Sequence, residues 1–238
     1  MNIAILGDIH GNLEALQTVL EDVDKQKPDK IYSVGDLVGY GADPSACIAL
    51  IRKRSIPAIK GNQDVALLDD EILEQFNQYA KASIYWTRGA LSSEEKEYLR
   101  DLPEGIPEDG FEIAHGMPGD TFRYLMKIED AKKAFSLSDA PAIFIGHTHC
   151  PVSFLDTDPI EYVKETEFTV PEGRRCIVNV GSVGQPRDKD PRAAYCMYDT
   201  ESKKVEIIRV EYDNETACQK IIDAGLPKIL GERLIEGK

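Results

Sequence analysis

No apolar run in the chain approaches the ~18–20 residues that a membrane-spanning helix needs, which argues against a helical membrane anchor. The N-terminus, Met1 to Asp8, lacks a basic leader and carries a charge within ten residues; it reads as a first strand and points to the cytoplasm. Cysteine is sparse and odd in number. Cys47, Cys150, Cys176, Cys196 and Cys218 show no C-x-x-C spacing, so a disulfide framework is not expected and reduced packing residues are. Positive charge is also short: 28 Lys and Arg stand against 42 Asp and Glu, for a net charge of −14. With no basic run, a long nucleic acid is a poor partner for this surface. There is no internal repeat, low-complexity tract or Pro/Gly/Ser linker, and 42% of residues are hydrophobic. A single domain over residues 1–238 is the economical expectation.

Apolar periodicity gives the outline. Ile3–Leu6, Lys30–Val34, Ile56–Lys60, Phe111–Ala114 and Ala142–Ile145 read as strands, with helices over Leu13–Val23 and within Pro44–Arg54. Strand–helix alternation predicts a mostly parallel sheet covered by helices. A long helical insertion spans about 65–105. Its acidic triplet Asp69-Asp70-Glu71 reads as a helix start, and its aromatics Phe76, Tyr79, Tyr85 and Trp86 as packing groups. In the second half, Val152–Leu155, Glu161–Lys164, Cys176–Val180, Ala194–Tyr198 and Val205–Val210 are short and rich in β-branched and aromatic residues. They predict antiparallel strands of a second sheet, followed by C-terminal helices at about 214–236. The expected class is α/β, with two packed mixed sheets flanked by helices.

Histidine is the scarcest informative residue. There are four: His10 in Asp8-Ile9-His10, His115 in Ala114-His115-Gly116, and the pair in His147-Thr148-His149. Histidine is the commonest metal-ligating side chain. Asp8 and His10 follow the first expected strand, Asp36 the second, Asn62 the third, His115 the fourth, and His147 and His149 the fifth. Ligands in open α/β sheets bind outside the carboxyl ends of the strands. Seven oxygen and nitrogen donors thus converge on one edge, more than one open transition-metal site takes. They suit two cations, and the mixed carboxylate, amide and imidazole set points to Mn, Fe or Zn rather than Ca. Two such ions clamp the attacking and leaving oxygens of a phosphoryl group.

Five motifs carry a family resemblance: Gly7-Asp8-Ile9-His10-Gly11-Asn12, Gly35-Asp36, Gly61-Asn62-Gln63-Asp64, Ala114-His115-Gly116 and Gly146-His147-Thr148-His149. With the loop from Asn179 to Asp188, they resemble the ordered motifs of the calcineurin-like metallophosphoesterases, in particular the compact bacterial and archaeal YfcE-like phosphodiesterase branch. The resemblance covers about residues 2–234. It implies that Asp8, His10 and His149 hold one divalent metal, that Asn62, His115 and His147 hold the other, and that Asp36 bridges them. It implies hydrolysis of a small phosphodiester by attack of metal-bound hydroxide, with Mn the expected metal and Fe or Zn the alternatives.

The third motif departs from the family pattern, which places histidine where Gln63 stands. That histidine, oriented by the acid at the place of Asp64, helps protonate the leaving group; Gln63 can donate a hydrogen bond but delivers no proton at neutral pH. General-acid help is worth about 10²–10⁴-fold. The alternatives left open are a phosphomonoesterase or protein phosphatase-like activity, and a weakly active or non-catalytic scaffold on the same fold. Arg187 is the expected phosphate contact, with Arg192 a second arginine in the same loop. Tyr40, between Gly39 and Gly41 near Asp36, reads as a packing residue that could also stack on a base or aryl group. The expected partner is a small phosphorylated substrate; no membrane or long nucleic acid is expected, and the sequence does not give the oligomeric state.

Overall fold

The computed structural model describes residues 1–238. The chain runs β1 (Asn2–Leu6), α1 (Leu13–Gln26), β2 (Lys30–Ser33), α2 (Pro44–Lys53), α3 (Asn62–Ala66), α4 (Asp70–Leu73), α5 (Gln78–Ala90) and α6 (Ser93–Asp101). It continues through β3 (Ile106–Glu108), β4 (Phe111–Ile113), α7 (Ile128–Leu137), β5 (Ala142–Ile145), β6 (Val152–Leu155), β7 (Glu161–Val163) and β8 (Glu167–Thr169). It ends with β9 (Cys176–Asn179), β10 (Ala193–Asp199), β11 (Lys204–Val210), α8 (Asn214–Asp223) and α9 (Lys228–Glu236).

Two mixed sheets face one another, ordered β2-β1-β10-β11-β8 and β3-β4-β5-β9-β6-β7. Alternation along the central strands decides what each face meets. Ile3 and Ile5 of β1 pack between the sheets with Tyr32, Phe144, Val178 and Cys196, whereas Ala4 and Leu6 pack beneath α1. In β5, Ala142 and Phe144 face the other sheet, and Ile143 and Ile145 face Ala131, Ala134 and Phe135 of α7. Both faces of these strands are therefore covered, which is why they read as unbroken apolar runs. Helix α1 buries Ala15, Leu16, Val19, Leu20 and Val23 at helical spacing. Its N-cap, Asn12, accepts from Ala15 N at 3.1 Å and donates to Gly184 O at 2.9 Å, so one side chain both starts the helix and ties down the loop after β9.

Three sequence expectations are corrected. The sheets do not divide the chain into halves: β10 lies antiparallel beside β1, and β9 lies parallel beside β5. Local periodicity shows which residues form strands, not which distant strand pairs with them. Ile56–Lys60 is not a strand; only Ala58 bridges to Ser33. Pro57 has no N–H to give to a ladder, and Lys60 N bonds Pro103 O instead. The insertion is not one long helix. It breaks where Asp69, Asn77 and Ser92 accept backbone N–H groups and start new helices.

Candidate metal centre

The loops after β1, β2 and β5 present their polar side chains from an unusual backbone. Asp8, His10, Asp36, His147 and His149 all adopt the left-handed region, with φ of +49°, +50°, +52°, +67° and +61°. Non-glycine residues there cost about 1–3 kcal/mol each and persist where the surroundings over-determine them. Here the loops knit together: His10 N donates to Asp36 O at 2.9 Å, Gly184 N to Asp8 O at 2.9 Å, and Ser182 Oγ to Asp8 O at 2.8 Å. Glycine is required where backbone crosses the carboxylates. A Cβ on Gly61 would collide with Asp36 Oδ1, and one on Gly146 with Asp8 Oδ2.

The seven residues singled out in the sequence meet in one buried cluster. Asp8, His10, Asp36 and His149 form one group, and Asp36, His115 and His147 another, with the potential ligand atoms of each group within 4.8 Å of one another. His10 Nδ1 lies 3.0 Å from Val38 O and His149 Nδ1 lies 2.6 Å from Gln185 O. A carbonyl only accepts, so both Nδ1 atoms carry the proton and both Nε2 atoms are lone-pair acceptors. Yet the two Nε2 atoms face each other at 3.0 Å. The same conflict recurs in the second group. His115 Nδ1 donates to Val34 O at 2.8 Å, and its Nε2 faces Asn62 Oδ1 at 3.1 Å. His147 Nε2 donates to Phe122 O at 3.2 Å, leaving Nδ1 buried without a partner. Asp36 Oδ2 stands 3.5 Å from both His10 Nε2 and His115 Nε2.

Electrostatics sharpens this. Burial pushes the His115 imidazole down to about 4 and the His147 imidazole down to about 3. Burial, then the Arg187 charge, holds His10 and His149 well below the ordinary histidine range. Burial pushes the Asp36 carboxyl up to about 7, and burial with Asp36 nearby raises Asp8 well above its ordinary value. Neutral imidazoles with converging lone pairs and buried carboxyls that resist ionisation are a donor set lacking its positive charge. Divalent cations fit it, and their imidazole partners already donate Nδ1–H or Nε2–H to carbonyls, as ligating histidines do.

The other sequence-derived residues separate. Gln63 is buried and its N–H donates to Asp36 Oδ1 at 2.8 Å, but its carboxamide oxygen has no partner. Asp64 does not engage the Gln63 side chain. It accepts from Gly61 N at 2.9 Å, Leu37 N at 3.1 Å and Val38 N at 3.3 Å, clamping the turn that carries Asp36 to the start of α3. Burial, with Asp36 beside it, pushes its carboxyl up to about 8. Arg187 lies over the Tyr40 ring at 5.5 Å, and Gln185 Oε1 accepts from its Nη2 at 2.8 Å. Arg192 instead pairs with Asp190 on the surface. Tyr40 is buried among Ala217, Ile221 and Leu230 of the C-terminal helices, with its ring 4.6 Å from that of His10. Sequence reasoning passed over Tyr124, whose ring stacks on His147 at 4.2 Å and 14°. It also passed over Phe122, whose backbone carbonyl fixes the His147 tautomer. Both sit in a loop with no periodicity, so no local signal marks them.

Known proteins resemble the chain along its length. The calcineurin-like phosphoesterase superfamily domain matches residues 1–203. An uncharacterized protein of Methanocaldococcus jannaschii is 38% identical over 243 aligned residues, covering 99% of this chain and 98% of its own. The crystal structure of a metallophosphoesterase from Sphaerobacter thermophilus superposes with a TM-score of 0.88 at 33% identity, covering 100% of this chain and 99% of that one. Serine/threonine-protein phosphatase 1 of Salmonella typhimurium is 37% identical over 170 residues, 62% of this chain and 78% of its own.

Proposed function

The chain belongs to the calcineurin-like phosphoesterase superfamily, and from that premise we propose that it hydrolyses small phosphodiesters with two divalent cations. The observation that carries this reading is the pair of acceptor–acceptor contacts, His10 Nε2 to His149 Nε2 at 3.0 Å and His115 Nε2 to Asn62 Oδ1 at 3.1 Å. Each has a lone pair on both sides and Asp36 alongside. Asp8, His10, His149 and Asp36 would hold one cation, and Asn62, His115, His147 and Asp36 the other. Bound there, divalent cations supply an acidified water and neutralise charge on phosphoryl oxygens. Mn is the metal we propose, with Fe or Zn compatible with the same donors.

The chain's own residues contribute orientation and charge. Asp64 holds the Asp36 turn rigid through three backbone N–H groups. Arg187, fixed by Gln185, brings a guanidinium to the rim for a non-bridging phosphate oxygen. Gln63 supplies no proton, so esters whose leaving oxygen needs early protonation are poor substrates. A diester carries one negative charge and two organic arms. A cavity beside the cluster has room for one of those arms.

The test is side-by-side turnover of bis-p-nitrophenyl phosphate and p-nitrophenyl phosphate with added Mn²⁺. The expected result is a higher kcat/KM for the diester. A clear preference for the monoester would move the assignment to a phosphomonoesterase, the reading that likeness to the Salmonella phosphatase favours.

A further inference from the structure

Beside the cluster opens a cavity of about 550 Å³, within the size range of small-molecule sites. Asn62 and His147 are shared between the two, so a phosphate held at the cluster would lie at the mouth of the cavity. The far wall comes from the α4–α5 junction, through Gln75, Phe76 and Asn77, and the near lip from Phe122 and Tyr124. No Lys, Arg, Asp or Glu lines it, although 29% of the chain is charged. Its aromatic lip faces water: Phe122 is 41% exposed and Tyr124 49% exposed. One face of the Tyr124 ring is covered by His147 and is therefore fixed in place, which leaves the other face as a preformed platform. Large aromatic rings held at a rim in water lose little further freedom when they stack on a flat partner.

Polar groups of the lining add edge recognition. Asn77 uses Oδ1 to accept from Tyr79 N and Ala80 N, which holds the carboxamide in place and leaves its NH₂ group to donate. Carboxamides read the donor and acceptor edges of nucleobases, and aromatic rings take their faces. A glycerol or other aliphatic arm offers no flat face, and a second charged group would find no counter-charge.

We propose that this cavity is a specificity site for the nucleobase of a nucleotide ester, with Tyr124 and Phe122 as the stacking platform and the Asn77 carboxamide reading the base edge. The proposal rests on the phosphoesterase reading, because it assigns what one arm of the ester carries.

The test compares adenosine 5′-monophosphate with ribose 5-phosphate by titration calorimetry on the Mn²⁺-loaded chain. The two probes share phosphate and sugar and differ in the base. The expected result is that the nucleotide binds at least about tenfold tighter. Phe122→Ala brings that ratio towards one while leaving ribose 5-phosphate affinity unchanged; Tyr124→Ala, which also uncovers His147, lowers the ratio, and Tyr124→Phe preserves it. Phe122→Ala keeps the backbone carbonyl that holds His147, so it separates stacking from disturbance of the cluster. Equal affinities for the two probes, no measurable nucleotide binding, or a ratio unmoved in both alanine variants would overturn the proposal. Hydrolysis of bis-p-nitrophenyl phosphate by the same preparations reports separately on the activity. If it is absent while the base preference persists, the hydrolase reading falls and the base site stands.

Discussion

Gln63 sits where the family pattern places histidine, buried beside Asp36 with its backbone N–H on the Asp36 carboxylate. The backbone contact does not depend on the side chain, so Gln63→His should leave the Asp36 turn intact and add a group able to carry a proton. The expected outcome is a rise in monoester hydrolysis of about tenfold or more, with a smaller rise for diesters of good leaving groups. Steady-state kinetics on p-nitrophenyl phosphate and bis-p-nitrophenyl phosphate, in wild type and variant, measures the difference. An equal effect on both would remove the argument that a missing acid shapes substrate choice. Arg187 and Arg192 illustrate a limit of reading residues in isolation. They lie five positions apart in one loop, yet one flanks the cluster and the other closes a surface pair with Asp190.

Between β2 and α3, Asp64 joins two segments by accepting from Leu37, Val38 and Gly61. Asp64→Ala leaves three backbone donors without an acceptor. The expected cost is about 3 kcal/mol, or roughly 6–12 °C in Tm for a chain of this size. Thermal and chemical denaturation of the metal-free variant checks it, and an unchanged Tm would show that the clamp is not needed. The elements themselves were legible in the sequence where both faces of a strand are buried. Ala142–Ile145 reads correctly as a continuous apolar run, and Val152–Leu155 as a short strand rich in β-branched and aromatic residues. Ile56–Lys60 is also largely apolar but fails as a strand, because Pro57 has no N–H to give and Lys60 N bonds Pro103 O. Short strands such as β3 and β8 are too brief for alternation to reveal. The five motifs were legible because each combines a histidine or carboxylate with a glycine, four of them just after a strand and the third at the start of α3. The cavity was not, because its walls come from α4–α5 and from the 122–124 loop, which are distant in sequence.

Across the fold, the buried ionisable groups make stability depend on pH and metal together. Asp36 and Asp64 have folded pKa values of about 7 and about 8, above the ordinary carboxylate value, so the folded chain binds more protons than the unfolded chain near neutrality. A raised folded pKa contributes stability that is present at low pH and lost as pH rises through the folded value. The histidines act in the opposite sense. Their lowered values cost stability as pH falls through about 6.5, where the unfolded imidazoles take up protons. In the window from about 7.5 to 8.5 the imidazoles are neutral in both states, and the carboxyls, joined by cysteine thiols that burial also raises, make the slope negative. The metal-free chain should therefore lose thermal stability across that window, and Mn²⁺ should abolish the loss by supplying charge to the carboxylates. Melting curves at several pH values, with and without chelator, test this. A metal-free Tm that rises with pH in that window would contradict it.

The account turns on whether the facing acceptors of the two histidine groups, with Asp36 between them, bind a pair of cations. Calorimetric titration of Mn²⁺ into the chelator-stripped chain measures this directly. The account predicts two equivalents per chain, reduced in number or sharply weakened by Asp36→Asn. Binding of less than one equivalent, or a titration that Asp36→Asn leaves unchanged, would contradict it.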